Sequence, residues 1–393
     1  MVKHKPYLSI ILLLIFTTVC YNTKAKDIES IDFDHLHINK LLPTNEVRNL
    51  YQDSEGYIWI STYNGLLRYD GYSVINYRNV NSNSTEQYMD NFVNSVCEDM
   101  DHRLWIGTHN GLYCLDKETG DMARITSAGL HTFFIETVKC TSEGNILVGS
   151  NKGLFLKTRN GNEFTRLFPS TNMDVKAIME DKIHNIWIGT WNEGLFRYDP
   201  ETKGLYHYPD INPGKSAHTI YQDKNDNIWI GTWRYGLMKI VNPYDMEKYS
   251  FVTYTHNIQN PNSISDNIIY TISQDSYTDN LWIGTRRGLS IMSADESKFT
   301  NYYPNTPENN ITSGEVNAIL CSKEGLMWIG MLGGGISTVN TKEKQFGYDP
   351  LTNIQDKIST SVRSIYKEEG KDVLWIGVMG FGCGRYDLNT REF

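Results

Sequence analysis

No run of Lys or Arg occurs beyond the N-terminal tip, and the net charge is -9 with a pI near 5.6. Nucleic acid is therefore excluded as a partner, because its phosphates require Lys and Arg to displace their counterions. Cysteine is sparse, with six in 393 residues. Once Cys20 in the leader is set aside, Cys97, Cys114, Cys140, Cys321 and Cys383 remain, an odd and scattered set. Such a set predicts no disulfide framework, and each reads as a small apolar strand residue rather than a redox or metal group. The ten histidines stand apart, with no Cys/His cluster and no His-Glu-x-x-His pair, so no metal is expected. A Gly-x-Ser-x-Gly elbow is absent as well, and no catalytic residue or cofactor is assigned. A second long hydrophobic span is also missing.

The N-terminus has what the rest lacks. Lys3 and Lys5 precede an apolar stretch from Leu8 to Val19, and Thr23-Lys24-Ala25 offers a cleavage site. Residues 1–25 thus read as a signal peptide directing the chain to the periplasm. An uncleaved membrane anchor and lipidation at Cys20 are the alternatives.

Aromatic residues are plentiful at 12% and hydrophobic residues reach 40%, enough for a large β-core. Their arrangement is periodic. A Trp-Ile-Gly-Thr tetrapeptide, or a variant, begins at Trp59, Trp105, Leu147, Trp187, Trp229, Trp282, Trp328 and Trp375. The steps are 46, 42, 40, 42, 53, 46 and 47 residues. A period of roughly 40–50 residues with several short strands per unit predicts an all-β β-propeller of four-stranded antiparallel blades.

In the fifth unit, Thr219–Asp223 reads as a first strand, Lys224–Asn227 as a hairpin turn, and Ile228–Thr232 as a second strand. Gly236–Ile240 is a third. Asp223 to Asn227 faintly resembles a calcium loop, but the Gly and distal Glu are missing and a plain turn is expected. Alternation puts Trp and Gly of the motif on one face, where the indole fills the gap to the next blade and the glycine lets that blade approach. Trp59, Trp105, Trp187, Trp229, Trp282, Trp328 and Trp375 are accordingly structural. The glycines six or seven residues on, Gly65 to Gly382, are expected in a backbone conformation that only glycine adopts cheaply.

Residues 31–38 look like an orphan outer strand that closes the ring. Two closures fit: a seven-bladed ring (residues 26–345) with residues 346–393 starting a second ring, or a single eight-bladed ring. The chain stopping at Phe393, where a fourth strand would begin, favours the first.

The unit running from Asp181 to Asp199, Asp-x-x-x-x-Ile-Trp-Ile-Gly-Thr-x-x-x-Gly-Leu-x-x-Tyr-Asp, resembles the two-component regulator propeller repeat. Leu147, Met331 and Val378 depart from that pattern. The resemblance implies the periplasmic sensor region of a hybrid two-component histidine kinase and response regulator, without its kinase and DNA-binding parts. It implies a non-catalytic module that senses an oligosaccharide. A propeller lyase or glycosidase and a protein-interaction scaffold are the alternatives.

Ligands of propellers gather over the central channel, on loops such as those following the Trp-Ile-Gly-Thr strands. These loops carry Tyr63, Asn64, His109, Trp191, Asn192, Trp233, Arg234, Arg286 and Arg287 as candidate ligand-binding residues. Aromatic faces stack on sugar C–H surfaces, and the Arg286-Arg287 pair suits an acidic glycan. Wedging between neighbouring loops is the competing role for Trp191 and Trp233. A homodimer or an envelope signalling protein is the further expected partner.

Overall fold

The computed structural model describes residues 31–388, apart from 32, 36, 41, 78–91, 172, 305–310, 343–361 and 380–381. The signal-peptide reading lies outside the described residues. Two compact units are present, divided between Thr341 and Lys342.

In the first unit the hairpins predicted from the repeats form seven four-stranded antiparallel sheets. Blade 1 comprises Val47–Gln52, Ile58–Thr62, Gly65–Tyr69 and Val74–Asn76. Blades 2 to 6 begin at Val93, Ile135, Val175, Thr219 and Ile269. Blade 7 takes three strands from residues 316–340, and Asp34–His35 supplies the fourth by pairing with Thr338 and Ser337. First strands of successive blades pack side by side, that of blade 7 against that of blade 1. They therefore line the axis, and the ring closes at seven blades, which rules out the single eight-bladed ring.

The motif works as its alternation requires. A Cβ on Gly107 would stand 2.7 Å from Ile135 of the next blade, one on Gly189 would stand 2.4 Å from the Ala217 carbonyl, and one on Gly330 would stand 2.5 Å from Val47. The last of these contacts joins blade 7 to blade 1. Each indole packs into the following blade, as Trp59 does among Val93, Leu104 and Ile106. In four blades its N–H is held by the aspartate six residues earlier: Trp59 on Asp53 at 2.9 Å, and Trp105, Trp187 and Trp229 on Asp99, Asp181 and Asp223 at 2.8 Å, whereas Trp282 and Trp328 have serines there and make no such bond. The Asp223 carboxylate also accepts the amides of Asn225 and Asn227, so the segment is a hairpin turn. All eight loop glycines have positive φ, from 70° at Gly335 to 154° at Gly288. At Gly236 a side chain would also strike the Tyr254 carbonyl at 2.2 Å.

At the opposite end from those loops, a Glu or Gln closing the first strand of five blades clasps the turn of the preceding blade. Glu98 takes the Ser54 amide at 2.6 Å, Glu180 the Ser142 amide at 2.7 Å, and Gln222 the Lys182 amide at 2.8 Å. Cys140 occupies this slot in blade 3 and cannot accept so strongly. Instead it forms a disulfide with Cys97 of blade 2, their Cα atoms 5.8 Å apart. The expectation of no disulfide is thereby corrected: the two thiols are remote in sequence but face each other across a seam. Cys114, Cys321 and Cys383 are free.

The second unit is a three-stranded sheet, Val362–Lys367, Val373–Val378 and Gly382–Asp387. Among the described residues Trp375 is not packed against a following sheet as its counterparts in the first unit are. The ring is 37% exposed, and a Cβ on Gly377 would meet only Ser364 of its own sheet. Among the described residues no sheet follows this one to cover that face.

Candidate functional site at the channel mouth

Six of the seven first strands of the ring start with an irregularity. In blade 1, Val47 pairs with Thr62 and Asn49 with Ser61, leaving Arg48 as the extra residue of a bulge. The same skip isolates Asn94, Glu136, Lys176, Tyr270 and Asn317. In blade 5, His218 occupies the place just before Thr219. A bulge redirects its extra side chain. Here the result is one polar residue per blade around a cavity of about 220 Å³ that all seven line.

These side chains are partly tied to one another. Arg48 donates to the Tyr63 hydroxyl at 3.1 Å and to Asn94 at 3.3 Å, and Asn94 donates to the Ile135 carbonyl at 2.8 Å. The Lys176 ammonium pairs with Glu136 and lies 3.3 Å from Asp174. His218 is different. Its Nδ1 is shielded from solvent and has no partner among the described residues. Burial, helped by the positive charges of Lys176 and Arg48, pushes its pKa down to about 4, so the ring is neutral near pH 7. Burial, with the Glu315 carboxylate adding to it, pushes the Tyr270 phenol up to about 12.

Above this ring runs a crescent of aromatic side chains. Tyr63 and Phe92 have centroids 5.1 Å apart, Phe92 stacks on His109 at 4.7 Å, and His109 meets Phe134 at 4.1 Å. Lys176 bridges Phe134 and Trp191, its ammonium 5.9 and 5.3 Å from the two rings. Trp191 and Trp233 lie 5.4 Å apart, and Trp233 continues to Tyr270 at 6.1 Å. The crescent thus spans blades 1 to 6.

Of the candidates read from the sequence, Tyr63, His109, Trp191 and Trp233 are brought together here. Trp191 keeps 38% of its surface exposed, so it is not a buried wedge. Asn64 and Arg287 use their backbone amides on Thr62 and Thr285, and their side chains do not join the crescent's ring contacts. Asn192 and Arg234 are exposed, Arg234 with φ 79°. Arg286 is already paired with Asp266 at 3.2 Å, which weakens the reading of an arginine pair poised for an anion. Sequence reasoning missed Phe92, Phe134 and the seven channel-lining residues. The available signal was positional: in most blades the channel residue stands eleven residues before the tryptophan slot, but six different residue types fill it across the seven blades.

Residues 41–64, 87–110, 169–192, 212–234 and 263–287 match the two component regulator propeller family. A curated relative, histidine kinase P4 of Formosa agariphila, is 29% identical over 275 residues, covering 67% of this chain and 20% of that protein. The chain therefore spans a fifth of the length of the curated relative it matches. Among solved structures, the extracellular domain of a putative hybrid two component system from B. thetaiotaomicron has a TM-score of 0.66 at 24% identity, covering 91% of this chain and 48% of that one. A streptogramin B lyase has a TM-score of 0.59 at 14% identity, covering 79% and 97% of the two chains. These structural likenesses establish the fold.

Proposed function

Because five stretches of the chain are two component regulator propeller repeats, we propose that it is the extracytoplasmic ligand-binding part of a two-component sensor. It recognises an oligosaccharide at the channel mouth and performs no chemistry on it. The observation that carries this reading is the aromatic crescent above a polar, water-accessible ring. Flat faces at Trp191 and Trp233 suit the C–H surfaces of a sugar, while Arg48, Asn94 and Asn317 suit its hydroxyls. The neutral His218 and Tyr270 add an uncharged donor or acceptor each. The periplasm is the compartment that fits, reached through the N-terminal leader. Signalling requires that the sugar bind two states of the sensor unequally, whether in a homodimer or with an envelope partner.

The test is a panel of neutral and acidic oligosaccharides, read by melting temperature and by product analysis. A sugar that raises the melting temperature of the wild-type chain, and not that of the Trp191→Ala/Trp233→Ala variant, is the expected result. Turnover of any glycan points instead to an enzyme. Capture of envelope proteins with no response to glycans points to a scaffold.

A further inference from the structure

The seam between blades 3 and 4 departs from its neighbours in three ways at once. Leu147 occupies the slot of the wedge tryptophan. Thr141 stands six residues earlier, where repeats one, two, four and five place the aspartate that holds the indole N–H. The third difference concerns the residue just beyond the third strand of the following blade. Lys117, one position beyond its strand, reaches back to Asp53 at 3.2 Å, and Tyr244, three positions beyond the strand Leu237–Val241, reaches Asp181 at 2.9 Å. In blade 4 the corresponding residue is Pro200, which follows the strand Leu195–Asp199 and has no side-chain donor. Ring, acceptor and plug are all missing from one place.

The neighbours do not collapse to fill it. A cavity of about 230 Å³ remains, with Leu147, Leu156, Ile186 and Tyr198 among its lining, and Thr141, Asn145 and Glu180 at its polar side. The backbone around it keeps the register of the other blades: Leu147 pairs with Lys139 and Leu156, as Trp187 pairs with Met179 and Arg197. The hollow is therefore bounded by the same strand framework that elsewhere encloses an indole. We propose that this seam is a binding site for a small, neutral, planar aromatic molecule of indole size carrying a ring N–H.

Its ring would lie against the aliphatic wall, where burial of apolar surface drives binding. Its N–H would meet Thr141 Oγ1 or the Glu180 carboxylate, which already holds the Ser142 amide at 2.7 Å, the Ser142 hydroxyl and the His184 ring at 3.2 Å and keeps one further lone pair. The Glu180 and Glu143 carboxylates around the cavity disfavour an anionic ring. The site lies on the blade 3 to blade 4 seam at the turn end of the strands, away from the channel mouth, and is independent of the oligosaccharide reading.

Indole titrated into the full chain, followed by ligand-observed NMR, tests it. Saturable binding to the wild type is expected, with indole-3-acetate binding more weakly. Leu147→Trp, which restores the ring covalently, should weaken indole binding at least tenfold and raise the melting temperature. Leu147→Phe serves the same purpose if the larger ring prevents folding, and transfer of magnetisation from indole to the Leu147 methyls needs no variant at all. The Trp191→Ala/Trp233→Ala protein should bind indole as the wild type does. Absence of saturable binding to the wild type, or binding lost in that double variant and kept in Leu147→Trp, overturns the proposal.

Discussion

Blade 4 is bordered by two seams built from the same repeat, and they behave differently. On the side of blade 5, Trp187 is fully buried, its N–H is on Asp181, and Tyr244 closes the gap with its hydroxyl on the same carboxylate. On the side of blade 3, Leu147, Thr141 and Pro200 leave a hollow of about 230 Å³. Strand pairing is alike on both sides. The blade therefore does not depend on the wedge. Hydrogen-bonded ladders and the positive-φ glycines set the sheet, while the side chain in the wedge slot decides whether the seam is full.

The sharpest way to break this comparison is to remove the ring that is present. Trp187→Ala should cost about 3–5 kcal/mol as a core cavity, measured by urea unfolding. Leu147→Ala should cost clearly less, because its slot already borders open space. Equal losses at the two sites would mean that the hollow is not an open counterpart of the filled seam. Next in size is the disulfide. Cys97→Ala/Cys140→Ala, or reduction of the wild type, should lower stability by about 2–4 kcal/mol, read as a shift in unfolding midpoint. Asp181→Ala follows, at about 1–3 kcal/mol, since Trp187, Tyr244 and two amides lose one acceptor. Thr141→Ala, at the corresponding place in the open seam, should cost less because no indole depends on it.

Acid should distinguish the channel from the seams. His218 has a folded pKa near 4 against 6.5 when unfolded, so the unfolded chain binds the proton first. Stability supplied by the neutral ring is complete above about pH 6.5 and is lost as pH falls towards 4. Replacement by Phe should flatten melting temperature against pH across that window. The smallest effect is expected at the rim. Trp191→Ala/Trp233→Ala should leave the melting temperature nearly unchanged, and a collapse would show that these rings support the fold.

Much of this was legible from the repeats. The wedge tryptophans, the close-approach glycines and the positive-φ glycines recur at fixed offsets because every blade solves the same packing problem. Leu147 stood out as a departure, yet its neighbours Thr141 and Pro200 gave no hint that they would converge. Cys97 and Cys140 were equally obscure. They sit eight and seven residues before their wedge positions, so no repeat aligns them, and only the apposition of two seam faces brings them together. The channel residues were hidden for another reason: Arg48, Asn94, Glu136, Tyr270 and His218 share a place in their blades but not a side-chain type.

Sequence alone determined the blade, because alternation, turn residues and glycine act within some forty residues and repeat often enough to be read. Tertiary structure decided the closure at seven, the pairing of Asp34–His35 with the last blade, the disulfide, and what stands at the channel mouth. Those features arise where different blades meet, and the contacts that make them join residues whose separation along the chain carries no local signal.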